Sequence, residues 1–140
     1  KYADNYKSIY FFQNTKIKDL SALSKLKNIE YLLFYNLSGA KALWDMSENA
    51  SLKGLLISES KNLIYDLSSL QSAPSLEEVL LFSNMNRKYI VKAVEPLKHC
   101  PKLKRAFIVF NTEQGDFNPE DFSSLEVIKY QVDRKRNFTY

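Results

Sequence analysis

The chain has 140 residues, 45% hydrophobic and 26% charged, the balance of one ordinary globular domain (1–140) able to bury a core. Three glycines and four prolines exclude collagen-like, linker-like and low-complexity classes. One cysteine excludes an internal disulfide framework or cysteine-based zinc site, no apolar run approaches the ~20 residues of a membrane helix, and a scattered +4 is not the footprint of a nucleic-acid binder.

From the amino terminus onward one short pattern, apolar-x-x-apolar-x-apolar, recurs six times. Its apolar positions are Tyr6, Ile9, Phe11; Ile29, Leu32, Phe34; Leu52, Leu55, Ile57; Leu76, Val79, Leu81; Leu103, Ala106, Ile108; and Leu125, Ile128, Tyr130. With copies starting at 6, 29, 52, 76, 103 and 125, the steps are 23, 23, 24, 27 and 22. The period of two within each copy predicts a strand whose fourth and sixth positions point into a core, with the first packing at its edge. Three residues beyond the last apolar position stand Asn14, Asn84 and Asn111, with Ser60 and Asp133 as polar substitutes and Leu37 departing, Asn36 lying one place early. This polar column is expected to satisfy backbone groups of neighbouring turns.

After each corner the period lengthens to three or four, which predicts short helices or 3₁₀ turns. Ile17, Leu20, Leu23 and Leu26 show it first, then Leu63, Leu67 and Leu70, then Ile90, Val94 and Leu97. The stretch Arg87 to Leu97 is the best candidate for a full α-helix. Pro74, Pro96 and Pro101 punctuate the returns to strand, where a missing N–H is tolerated. Gln114 to Phe122, with Gly115 and Pro119, is expected to be the most irregular, and Asp133 to Tyr140 to cover the carboxyl-terminal end. The start at Lys1, without Met or a signal-peptide pattern, points to a processed piece of a longer chain.

Six copies in steady register resemble the leucine-rich repeat family over essentially the whole chain. The resemblance implies an α/β solenoid, a right-handed horseshoe with a parallel concave sheet and short helices or 3₁₀ turns on the convex side. Variable repeat lengths with Lys-, Asn- and Ile-rich strands look more like bacterial members.

In this register the third, fifth and seventh positions face outward from the sheet. The third column reads Ser8, Tyr31, Gly54, Glu78, Arg105, Val127; the fifth Tyr10, Leu33, Leu56, Leu80, Phe107, Lys129; the seventh Phe12, Tyr35, Ser58, Phe82, Val109, Gln131. Five of six fifth-column residues are apolar, so adjacent strands about 4.8 Å apart would carry a continuous apolar stripe. Soluble monomers rarely leave such a patch in water, and Tyr and Phe are frequent binding anchors. The expected partner-binding residues are Tyr10, Phe12, Tyr31, Leu33, Tyr35, Leu56, Glu78, Leu80, Phe82, Arg105, Phe107 and Val109. The partner is expected to be another protein, with self-association through the same face included, and neither nucleic acid nor membrane. The competing reading is internal cover by another segment. The second column alternates in sign, Lys7, Glu30, Lys53, Glu77, Lys104, Glu126, which reads as a solvated ladder fixing register.

Searching for chemistry gives no active site, and neither an enzyme nor a cofactor is expected. Cys100 reads as core filler and the adjacent His99 as solvated loop, because neighbours on a turn point apart. Glu77 and Glu78 fall on opposite strand faces, and Asp116, Glu120 and Asp121 read as loop charge. Trp44 reads as a convex-side core residue. The sequons at Asn36, Asn49 and Asn137 are common by chance and carry no weight. A non-enzymatic recognition module is the first reading; an architectural or homo-oligomerising solenoid and a small inhibitor or immunity protein are the alternatives. One Cys and no export signal point to the cytoplasm, with an extracellular site left open.

Overall fold

A computed structural model describes residues 5–83, 90–109, 111–112, 119–122, 125 and 127–131. Strands form where apolar residues alternate: β1 (Ser8–Phe12), β2 (Tyr31–Tyr35), β3 (Gly54–Ser58), β4 (Glu78–Phe82), β6 (Arg105–Val109) and β8 (Val127–Gln131). Two short strands, β5 (Ile90–Val91) and β7 (Asn111–Thr112), pair with each other in parallel outside the main sheet. The six long strands form one parallel sheet in the order β1-β2-β3-β4-β6-β8.

The register is the one the repeat predicts. Tyr10, Leu33, Leu56, Leu80, Phe107 and Lys129 lie opposite one another in sequence. Beneath them Leu32, Leu55, Val79 and Ala106, with Phe34, Ile57, Leu81 and Ile108, are buried. The far wall of the core comes from the three- and four-residue spacing: Leu20, Leu23, Trp44, Met46, Leu63, Leu67, Leu70, Val94 and Leu97 are buried with them. Burying each such side chain is worth roughly 1.5–3 kcal/mol before the entropy of ordering the chain is set against it.

The connecting segments are short helical pieces: 3₁₀ turns at Ser21–Lys25, Ser68–Ser72, Glu95–His99 and Pro119–Phe122, and α1 (Lys61–Tyr65). A local device missed in the sequence prepares several of these turns. Asp19, Asp45 and Asp66 each accept the N–H of the serine two residues on, Ser21, Ser47 and Ser68, at 2.8 to 2.9 Å. The recurring Asp-x-Ser triplet is the sequence signal, an Asx turn that closes before the 3₁₀ turn begins at Ser21 and at Ser68.

The expected helix over Arg87–Leu97 is not what the described residues form. From residue 90 they give a strand, Ile90–Val91, followed by the 3₁₀ turn Glu95–His99. The β-branched pair favours the extended ladder with Asn111–Thr112, and Pro96 lies at the start of the turn, where it removes no helical hydrogen bond.

At the strand-to-loop corner, Gln13, Asn36 and Glu59 take positive φ of 46°, 53° and 53°. This left-handed step is what puts Asn36 one place early, since asparagine tolerates it. The ladder continues through the corner, with the N–H groups of Gln13 and Asn36 donating to the carbonyls of Tyr35 and Ser58 at 2.8 and 3.0 Å. Of the expected polar column, Ser60 serves a neighbouring turn: its hydroxyl oxygen accepts the Leu37 N–H at 3.0 Å. Asn14 serves its own loop instead, its Oδ1 accepting from Lys16 and Ile17. Asn84 and Asp133 lie outside the described residues, as do Glu126, Asn137, most of Gln114–Phe122 and all of Asp133–Tyr140. Among the described residues no helix is long and apolar enough to cross a membrane.

Candidate functional site

The outward face of the sheet is built by the third, fifth and seventh pattern positions, and it is unequal along its length. At the β1 end, Tyr10 and Phe12 are 56% and 57% exposed, and Tyr31 is 43% exposed. Phe12 stacks on Tyr35 with ring centroids 5.1 Å apart, and Tyr10 meets Phe12 edge-on at 5.8 Å. At the β6 end, Phe107 is 39% exposed and meets Phe82 edge-on at 6.4 Å. Between the two aromatic groups Leu33, Leu56 and Leu80 are half-buried and form an aliphatic floor. Aromatic pairs of this geometry add ~0.5–1.5 kcal/mol beyond their buried area.

The middle strand is low at both ends. Gly54 and Ser58, expected to face outward with their columns, are both buried. The reason is their small size beside larger neighbours. A Cβ at Gly54 would stand 2.5 and 2.8 Å from Cδ1 and Cε1 of the Tyr31 ring, so the glycine is what lets that ring lean across β3. On the other side of Gly54, the Glu78 carboxylate pairs with the Arg105 guanidinium. All twelve expected contact residues therefore share one face, nine of them apolar or aromatic beyond Tyr31, Glu78 and Arg105.

Below this face runs the charge ladder. Glu30 accepts from both Lys7 at 3.0 Å and Lys53 at 2.8 Å, and Lys104 reaches Glu77 at 3.1 Å. Hydrogen bonds from Lys53 and Lys7 hold the Glu30 carboxyl below its usual range. The pairs are solvated, and each contributes little on its own.

The residues weighed for chemistry are placed elsewhere. Cys100 is buried, donates weakly toward the carbonyls of Leu70 and Pro96 at 3.4 and 3.5 Å, and burial pushes its thiol up to about 11. His99 is exposed, its Nε2 3.7 Å from the Glu95 carboxylate. Trp44 is buried, as expected, and its indole N–H donates to Asn49 Oδ1 at 2.8 Å. Asn49 is itself fully buried, its amide donating to the carbonyls of Leu23 and Leu26 at 2.9 and 3.0 Å. It ties the second repeat to the turn of the first, a role that its sequon context did not announce. Among the described residues no three His, Cys, Asp or Glu side chains group as a metal site.

Tyr6 differs from its expected place. It is 54% exposed, whereas Ile29, Leu52 and Leu76 at the same pattern position are fully buried. Each repeat is covered by its neighbours, and among the described residues none lies on the outer side of β1.

No family model matches the chain, and no curated protein matches it. Among solved structures, an internalin C2 from Listeria monocytogenes aligns over 91% of this chain and 72% of its own length at 17% identity, with a TM-score of 0.40. Another internalin from the same organism is similar over 94% of this chain at 15% identity with a TM-score of 0.53, and this chain spans 44% of that protein's length. That likeness bears on the fold alone and agrees with the six-stranded parallel sheet and its short 3₁₀ turns: the chain is an α/β solenoid of the leucine-rich repeat kind.

Proposed function

We propose that the chain is a non-enzymatic recognition module that docks another protein on the outward face of its sheet. One observation carries the reading: Tyr10, Leu33, Leu56, Leu80 and Phe107 fall in a single in-register row, flanked by Phe12, Tyr31, Tyr35 and Phe82, with several of the aromatic rings open to solvent. Affinity comes from burying that row, and the rings are of the residue types that anchor interfaces. Tyr31, Glu78, Arg105 and Val109 lie at its margins and supply orientation. The lysines of the ladder are engaged by glutamates rather than gathered for phosphate, which favours a protein partner over nucleic acid. Fold similarity to internalins is compatible with such a role.

The test replaces Leu56 and Phe107 together by Lys and compares immobilised wild type and variant as bait for native lysate. Proteins retained by the wild type and lost by a variant of unchanged melting temperature support the reading. An identical set of retained proteins overturns it.

A further inference from the structure

We propose, resting on the docking face described above, that its partner is an acidic protein segment. The partner's apolar side chains settle on the aromatic end of the face and its carboxylates reach four lysines beside it. Lys16, Lys18, Lys41 and Lys61 are all exposed, and they lie in the segments that leave β1, β2 and β3. These segments stack directly on one another. A Cβ at Gly39 would stand 2.3 and 2.6 Å from the carbonyl oxygens of Thr15 and Ile17, and the Asn62 amide donates to the Ser38 carbonyl at 3.4 Å. Lys18 and Lys41 are one repeat step of 23 residues apart, so they hold equivalent places on neighbouring turns spaced about 4.8 Å.

The lysines of the ladder are neutralised where they stand, Lys7 and Lys53 by Glu30, and Lys104 by Glu77. The corner lysines are not. Among the described residues none of the four pairs with a carboxylate. In the same segments the Asp19 carboxylate is held by the N–H and hydroxyl of Ser21, and Glu59 is half-buried at the β3 corner. Four lysines against these two carboxylates leave an excess of two positive charges in one strip. Neighbours in the strip lie within a Debye length, ~8 Å at physiological salt, so their potentials add. The strip adjoins the open rings: Phe12 and Tyr35 are the last residues of β1 and β2, and Tyr10 and Phe12 are the most exposed rings of the face. A partner that buries these rings carries its own charges onto the strip, and negative charge is what complements it. Nucleic acid fits less well. Phe12 and Tyr35 already stack on each other, which occupies ring faces that bases would take, and Glu30, Glu77 and Glu78 run along the opposite margin of the face.

Binding of soluble copolymers to the immobilised chain tests this, with poly(Glu,Tyr) as an acidic aromatic probe and poly(Lys,Tyr) as its basic counterpart. Poly(Glu,Tyr) is expected to bind roughly tenfold tighter than poly(Lys,Tyr) and to weaken as salt rises. Lys18→Glu with Lys41→Glu should weaken it about tenfold. Lys25→Glu with Lys102→Glu, an equal change of charge at exposed lysines in the first 3₁₀ turn and before β6, should leave it unchanged. Tyr10→Ser with Phe12→Ser should weaken it by a similar factor to the strip reversal, and melting curves establish that each variant is folded. No binding of poly(Glu,Tyr), equal loss in the two lysine pairs, or poly(Glu) or poly(U) bound as tightly as poly(Glu,Tyr) each overturns the proposal. Poly(Lys,Tyr) bound in its place, and released by the Tyr10 and Phe12 replacements, overturns the acidic partner while docking on the face stands.

Discussion

The first and third repeats carry the same pattern of residues and reach different ends. In the third, Leu52, Leu55 and Ile57 are fully buried between β2 and β4. In the first, Tyr6, Ile9 and Phe11 occupy the same places, yet Tyr6 is exposed and the other two are half-covered. Side-chain chemistry does not separate them, since Ile9 and Leu55 are near-isosteric. What differs is the number of neighbours among the described residues, because a solenoid stabilises each repeat through the ones beside it.

The largest expected effect tests that contrast in the core. Ile57→Ala should cost about 2–5 kcal/mol in urea denaturation, because the cavity it leaves is walled on every side. Ile9→Ala, the same kind of truncation in the half-open repeat, should cost about 1 kcal/mol. Equal losses at the two positions would mean that the first repeat is as well packed as the third.

Between them in size lies the tie from the second repeat to the first. Asn49→Ala removes the acceptor of the Trp44 indole N–H and the donor to the Leu23 and Leu26 carbonyls. Leaving these groups unpaired in a buried place should cost about 2–3 kcal/mol, read from the same denaturation curves. A loss within a few tenths would show that water takes over the amide's contacts.

The smallest effect lies in the solvated ladder. Lys53 and Lys7 depress the Glu30 carboxyl below its ordinary 4.5, so its contribution is full above that pH and fades as pH falls through the folded-state value. Glu30→Gln should therefore lower the melting temperature slightly at pH 7, and the difference from wild type should shrink on acidification below about 4.5. A difference that grows toward low pH would contradict the pairing.

Much of this molecule was legible in the chain. The six-fold frame predicted the parallel sheet, the row from Tyr10 to Phe107, and the burial of Trp44 and Cys100, because the period of two and the spacing of repeats are carried by the residues themselves. The Arg87–Leu97 helix was misread because Ile90, Val94 and Leu97 fit a helical period. Ile90 and Val91 found a strand partner at Asn111–Thr112, 21 residues further along the chain, that periodicity does not register. Gly54 and Ser58 lie buried although their columns face outward: alternation tells which way a side chain points, not how far larger neighbours, such as the Tyr31 ring beside Gly54, cover it. The buried role of Asn49 depends likewise on two carbonyls of the preceding repeat.

By itself the sequence determined the register, the face each residue points to and the alternation of charge along the ladder, since all three follow from local backbone geometry and repeat spacing. Only the tertiary structure decided how deeply each position is covered and which rings stay open to solvent. Coverage is a property of neighbouring repeats and of the size of the side chains they bring, and no repeat carries that information alone.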